Sequence, residues 1–232
     1  MNKALKAVAA LMLMMVFAVG CNKPIEPSHG DDANEHNGHE YVDMGLPSGI
    51  LWATCNVGAN KPEEIGDYFA WGEIEPKETY QPEKYKWSND NCETFTKYCT
   101  NSRYGNVDNN LELLPEDDAA TADWGSNWCT PSKDQVKELI NSDYTTIAQA
   151  TQNGVGGWKI TSKKNGKTLF FPTAGERWYD GFLGNNDCCY WTRSVEEKGS
   201  IAAYIVRIDE WASVELRTRF EGVPIRPVRS SK

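Results

Sequence analysis

Hydrophobic positions in the chain begin with an unbroken run, Ala7 to Val19 (AVAALMLMMVFAV), and then thin out until Tyr41. Lys3 and Lys6 precede the run and small residues follow it. A charged start, a short apolar core and a small-residue end describe a secretory signal. The run is shorter than the ~20 residues a membrane-spanning helix needs. The next tract, NKPIEPSHGDDANEHNGHE from Asn22 to Glu40, has one branched aliphatic residue, Ile25, among Pro, Gly, Asn, Asp and Glu. So little apolar area cannot offset the entropy of ordering. The expected organisation is a signal over 1–20, a flexible acidic tether over 21–40 and one domain over 41–232.

Within 41–232 the pattern is mostly that of strands. Ile50 to Val57 (ILWATCNV) and Asp67 to Trp71 (DYFAW) are aromatic and β-branched runs bounded by Gly and Pro. Trp158 to Lys163 and Lys167 to Phe171 flank Asn165-Gly166, a hairpin signal because both residues tolerate positive φ. Ile201 to Ile208, Ser213 to Arg219 and Val223 to Val228 read as three further strands of an antiparallel meander. Helical patterning is confined to two places. Ser132 and Gln135 form a capping box ahead of Val136, Leu139 and Ile140 on one face. Pro115 to Trp124 begins with Pro and three acids, Glu116, Asp117 and Asp118, which favour a helix start. The pattern predicts an α+β domain with mostly antiparallel sheets.

Charge then narrows the partners. The chain has 33 acidic and 24 basic residues; without residues 1–20, which carry Lys3 and Lys6, 22 basic residues face 33 acidic ones, a net −11. That balance opposes nucleic acid and electrostatic docking on anionic lipid. All three histidines, His29, His36 and His39, lie before Tyr41. Residues 41–232 therefore hold no Ser-His-Asp or Cys-His nucleophile system and no His-ligated catalytic zinc.

Ala18-Val19-Gly20-Cys21 resembles the lipobox of bacterial lipoproteins, with Ala18 where the pattern prefers Leu. It implies lipidation at Cys21 and a lipid-anchored place in the cell envelope, on the outer membrane. A second resemblance spans nearly all of 41–232. The segments YVDMGLPSGILWATCNVGA, KPEEIGDYFAWGE, LLPEDDAATADWGSNWCTPSKDQVKEL, NGVGGWKITSKKNGKTLFFPTAG, CCYWTRS and GVPIRPVR resemble the Fibrobacter succinogenes major paralogous domain. That family is common in secreted and lipid-anchored proteins of the Bacteroidetes and Fibrobacteres. The family is in turn similar to the C-type lectin-like fold shared with formylglycine-generating enzymes, through Cys129 to Val136, Tyr190 to Ser194 and Gly222 to Val228. The resemblance implies a C-type lectin-like fold and a binding or adhesion role at the cell surface.

The chemistry of that family's relatives is only partly represented. Six cysteines besides Cys21 (Cys55, Cys92, Cys99, Cys129, Cys188 and Cys189) allow 15 disulfide pairings. Cys92 and Cys99 would close a small loop, and free buried thiols are the alternative. No cysteine pair aligns with the copper site of the formylglycine-generating enzymes. Glu75-Pro76-Lys77 lacks the Asn or Asp of a lectin calcium motif, and Tyr190-Trp191-Thr192 lacks its carboxylate. Glu116, Asp117, Asp118 and Asp123 suit either a hard cation or helix capping, and capping is the simpler reading.

The segment GERWYDGFLGNNDCC, Gly175 to Cys189, joins two expected strands. It offers Trp178, Tyr179 and Phe182 beside Asp180, Asn185, Asn186 and Asp187. Aromatic faces next to amides and carboxylates suit carbohydrate or another polar surface, through stacking and directed hydrogen bonds. The alternative is a loop with its own small core. The expected protein is non-enzymatic and cofactor-free, binding a glycan or a surface protein. An accessory subunit of an envelope assembly is the rival. A glycosidase would need a carboxylate pair that no motif singles out.

Overall fold

The structure, a computed structural model, describes residues 34–183, 187–198 and 201–231. The signal segment, Cys21 and His29 lie outside them. In chain order the first strands are β1 (Asn34–His36), β2 (His39–Asp43), β3 (Leu51–Ala53), β4 (Ser88–Asn89), β5 (Thr94–Phe95) and β6 (Trp128–Cys129). Then come β7 (Thr145–Gln152), β8 (Val155–Ser162), β9 (Thr168–Pro172), β10 (Glu176–Trp178) and β11 (Gly181–Leu183). The last are β12 (Cys189–Val195), β13 (Ala202–Arg207), β14 (Ser213–Thr218) and β15 (Val228–Arg229). Two α-helices join them, α1 (Ala119–Trp124) and α2 (Lys133–Leu139). The class is thus α+β and mostly antiparallel.

The ordered domain reaches back beyond Tyr41. Residues 34–40, expected from composition to be tether, fold into the β1–β2 hairpin, with Asn37 and Gly38 at positive φ (52° and 80°). Asn-Gly is the same turn signal found at 165–166, and a two-residue loop with both φ positive matches strand twist. Tertiary contacts supply what the short segment lacks: the Asn37 amide donates to Trp124 O at 3.3 Å, and the His39 ring lies 3.6 Å from Trp124. His36 contacts Asn127 at 2.8 Å.

Three larger sheets form the frame. One has the order β1-β2-β3-β15-β6, so the first and last segments of the domain pair directly. The others are the meanders β7-β8-β9 and β12-β13-β14. The strand expected over Val223 to Val228 does not join the β13–β14 meander; only Val228–Arg229 is strand, between β3 and β6. Pro224 and Pro227 lack the N–H that a continuous ladder requires. The segment is instead held by separate bonds, Phe69 with Val223 and Val57 N–H to Ile225 O. Asp67 to Trp71 likewise carries a single bridge rather than a strand. Strand β7, not anticipated from the sequence, turns into β8 through Asn153-Gly154, both at positive φ.

The two helices are placed by their caps. Ser132 Oγ accepts from Gln135 N–H at 3.2 Å while Gln135 Oε1 accepts from Ser132 N–H at 2.7 Å, the expected capping box. Ser132→Ala should cost about 1 kcal/mol of unfolding free energy, read as a lowered urea midpoint at unchanged slope. The expected helix over Pro115 to Trp124 is broken at Asp118. A short 3-10 turn covers Pro115–Asp117, and Asp118 caps α1 through Ala120 N–H and Thr121 N–H. Its carboxylate also accepts from Thr130 N–H and Oγ. Asp117 is engaged by Lys97 and the Tyr98 hydroxyl, each at 2.5 Å. These acids are structural, and among the described residues no group of three potential ligands gathers as for a metal ion.

The core lies where the sheets and α2 meet. Trp52, Leu139, Ile160, Phe171, Tyr190 and Val206 form one buried cluster, and Trp71, Tyr98, Trp191 and Ile205 belong to a second. A third, built on Tyr80, Tyr85, Phe95 and Phe220, supports the half-buried Trp178.

Candidate functional site

Strands β10 and β11 pair with Trp178 opposite Gly181, leaving Tyr179 and Asp180 as a two-residue loop. Tyr179 occupies the first central position at φ 54°, a place glycine usually takes in such turns. A bulky side chain in this region costs about 1–2 kcal/mol, and such strain persists only where surroundings over-determine it. The surroundings here are Tyr80: its N–H donates to Tyr179 O, and Tyr179 N–H donates to Tyr80 O, both at 2.8 Å. Arg177 and Gly222 exchange a second pair of backbone bonds at 2.7 and 2.9 Å. That approach needs glycine, because a Cβ at 222 would sit 2.7 Å from the Tyr80 ring and 2.8 Å from Arg177 Cβ. The outcome is a pinned tip with Tyr179 41% exposed and Trp178 resting on Phe220 at 4.9 Å.

The structure gathers only part of the expected set. Trp178, Tyr179 and Asp180 share the tip. Phe182 lies on β11 opposite Arg177. Asn185 and Asn186 lie outside the described residues. Asp187 is used elsewhere: its carboxylate pairs with Arg207 at 3.1 Å and its carbonyl accepts from Gly175 N–H at 2.8 Å. Tyr80, Phe220 and Gly222, which hold the tip, were not legible because they lie far from it in sequence. Trp211 was also missed. It is 85% exposed in the turn between β13 and β14, where its N–H donates to Asp209. A tryptophan inside the polar turn DEWAS was the available signal.

Beside the tip's root sits a buried acid pair. Glu176, 2% exposed, accepts from Arg217 Nε at 2.9 Å on both oxygens. Glu221, 4% exposed, accepts at Oε1 from Thr218 N–H and Oγ, while its buried Oε2 receives no donor. Burial raises the Glu221 pKa to about 7; the neighbouring Glu176 carboxyl adds to this and the Thr218 hydroxyl opposes it.

All six described cysteines are free rather than disulfide-bonded. Burial raises the thiol pKa at Cys55, Cys92, Cys188 and Cys189, and raises Cys129 to about 11. These groups are protonated at neutral pH, and the thiolate is the nucleophilic form.

Tyr179 at the tip is exposed to solvent. Clefts lie elsewhere: about 370 Å³ beside His39 and Trp124, and about 440 Å³ beside Tyr144, Lys163 and Lys164. Among the described residues no helix is long and apolar enough to cross a membrane. Comparison with protein-family models, with characterised proteins and with solved structures returns no match to this chain.

Proposed function

We propose that this chain is an envelope-anchored, non-enzymatic binding module that uses the β10–β11 tip to contact a glycan. The observation that carries the reading is Tyr179, an exposed aromatic ring fixed in strained backbone by its partner Tyr80. A rigid aromatic face loses little entropy on contact, and stacking with a neighbouring carboxylate such as Asp180 suits a polyhydroxy surface. The C-type lectin-like fold and membership of the Fibrobacter succinogenes major paralogous domain family are part of the same proposal. They rest on the sequence segments above and on the antiparallel α+β architecture. Lipidation at Cys21 supplies the anchor. Trp211 supports a second reading, an accessory subunit that docks on an envelope protein, because exposed tryptophan is a frequent interface anchor.

The two readings separate on two substitutions, Tyr179→Gly and Trp211→Ala. Tyr179→Gly removes the ring and relieves the backbone, so the melting temperature of the full-length chain should hold or rise. Saturable binding on a glycan array should weaken at least tenfold. Glycan binding unchanged by Tyr179→Gly removes the tip as the site. No glycan binding, with co-purification of one envelope protein lost on Trp211→Ala, replaces the first reading by the second.

A further inference from the structure

We propose that the cleft between the β1–β2 hairpin and the segment after β3 binds a small ligand through its primary ammonium group. The cleft encloses about 370 Å³, within the range of small-molecule sites. None of the tip residues lines it.

The hairpin register places Glu35 directly opposite Glu40, and both line the cleft. Directly opposed residues in an antiparallel pair share a face, and like charges there destabilise the strand pair. Neither carboxylate has a cationic partner among the described residues. Glu73, Glu112, Glu176 and Glu197, by contrast, are all paired with Lys or Arg. No Lys or Arg lines the cleft. The buried cation Arg226, whose charge acts on Cys55 of the wall, is committed to Asn56 and to the carbonyls of Ala53 and Phe170.

Glu35 and Glu40 are exposed to solvent, and no wall group supplies a positive charge. Burial lowers the His39 pKa, against the opposing pull of Asp123 and Glu35, so the ring is neutral at neutral pH. Burial raises the Cys55 thiol, with Glu40 and Glu64 adding in the same direction and Thr54 and Arg226 opposing. The site therefore offers two negative charges, a neutral aromatic wall of His39 stacked on Trp124 at 3.6 Å, and the polar side chains of Thr54 and Asn60. An ammonium with three donors satisfies both carboxylates, and the alkyl or ring carbons of its carrier lie along Pro62 and the aromatic wall. The hairpin is fixed to α1 through Asn37 and Trp124, so the cleft exists before the ligand arrives.

The test is calorimetric titration of the full-length chain with n-pentylamine at neutral pH, against 1-pentanol as the uncharged counterpart. Saturable binding is expected for the amine alone, weakened about tenfold by Glu35→Gln and by Glu40→Gln. The melting temperature of each free variant should hold or rise, because the opposed charges are relieved. In the wild-type chain, bound amine should also slow alkylation of Cys55 followed by mass spectrometry, a readout that needs no variant. Equal binding of pentanol, amine affinity unchanged in both variants, or Cys55 alkylation at the same rate with and without amine would each overturn the proposal.

Discussion

Replacing Arg226 by alanine should lower the unfolding free energy by about 2–5 kcal/mol, read as a large fall in the urea midpoint. The side chain is fully buried and has no ion-pair partner among the described residues. Its guanidinium donates to Asn56 Oδ1 at 2.7 Å, Phe170 O at 3.0 Å and Ala53 O at 3.3 Å. It also lies 4.4 Å from the Phe171 ring centre. Burial pulls its pKa below the ordinary arginine value, the direction set by the cost of desolvating a charge. Alanine leaves a cavity and three buried acceptors without donors, and both penalties fall on the folded state. Arg226→Lys should be intermediate, since an ammonium cannot reproduce the planar fork that reaches three separate acceptors. Arg226→Met tests the reasoning by keeping volume while removing donors. A methionine variant as stable as the wild type would show that the hydrogen bonds contribute nothing.

The second large effect is a stability slope with pH that one carboxyl should control. The folded pKa of Glu221 stands at about 7 against an ordinary value of 4.5. A raised carboxyl favours the fold when protonated, so its contribution is complete below about pH 4.5 and is lost as pH rises through about 7. A tenfold change in proton affinity between the folded and unfolded chain corresponds to about 1.4 kcal/mol, giving a loss of roughly 2–3 kcal/mol between pH 5 and 8. Glu221→Gln keeps a neutral group of the same shape and should remove that part of the slope, making the variant more stable than the wild type at pH 8. His39, with its lowered pKa, acts in the opposite sense, losing stability as pH falls. The difference between wild type and Glu221→Gln in urea unfolding at the two pH values isolates the carboxyl. Identical slopes in the two proteins would mean that Glu221 is ionised in the fold throughout the range. Because Glu176 begins the strand that carries Trp178, titration of the neighbouring Glu221 acts at the root of the tip.

What the chain determined alone is what can be specified within a few residues. The capping box at Ser132 and Gln135 placed α2, and Asn165-Gly166 marked the β8–β9 turn, which runs over residues 163–167 with Gly166, not Asn165, at positive φ. Asn37-Gly38 and Asn153-Gly154 carry the same instruction, and the first was hidden by the polar composition around it. Composition likewise confined histidine to the segment before Tyr41, whatever the fold. Tertiary structure decided the rest, because the deciding partners are remote. Arg226 meets Asn56 across 170 positions, and Asn37 reaches Trp124 across 87. Prolines at 224 and 227 prevent a continuous strand, yet only the approach of β3 and β6 sends the last segment into the first sheet. Tyr179 is strained because Tyr80 fixes both of its backbone bonds, and Glu221 is raised because folding buries it beside Glu176. Local propensity acts through neighbouring dihedrals and hydrogen bonds, whereas burial, charge opposition and strain arise only when distant segments occupy the same space.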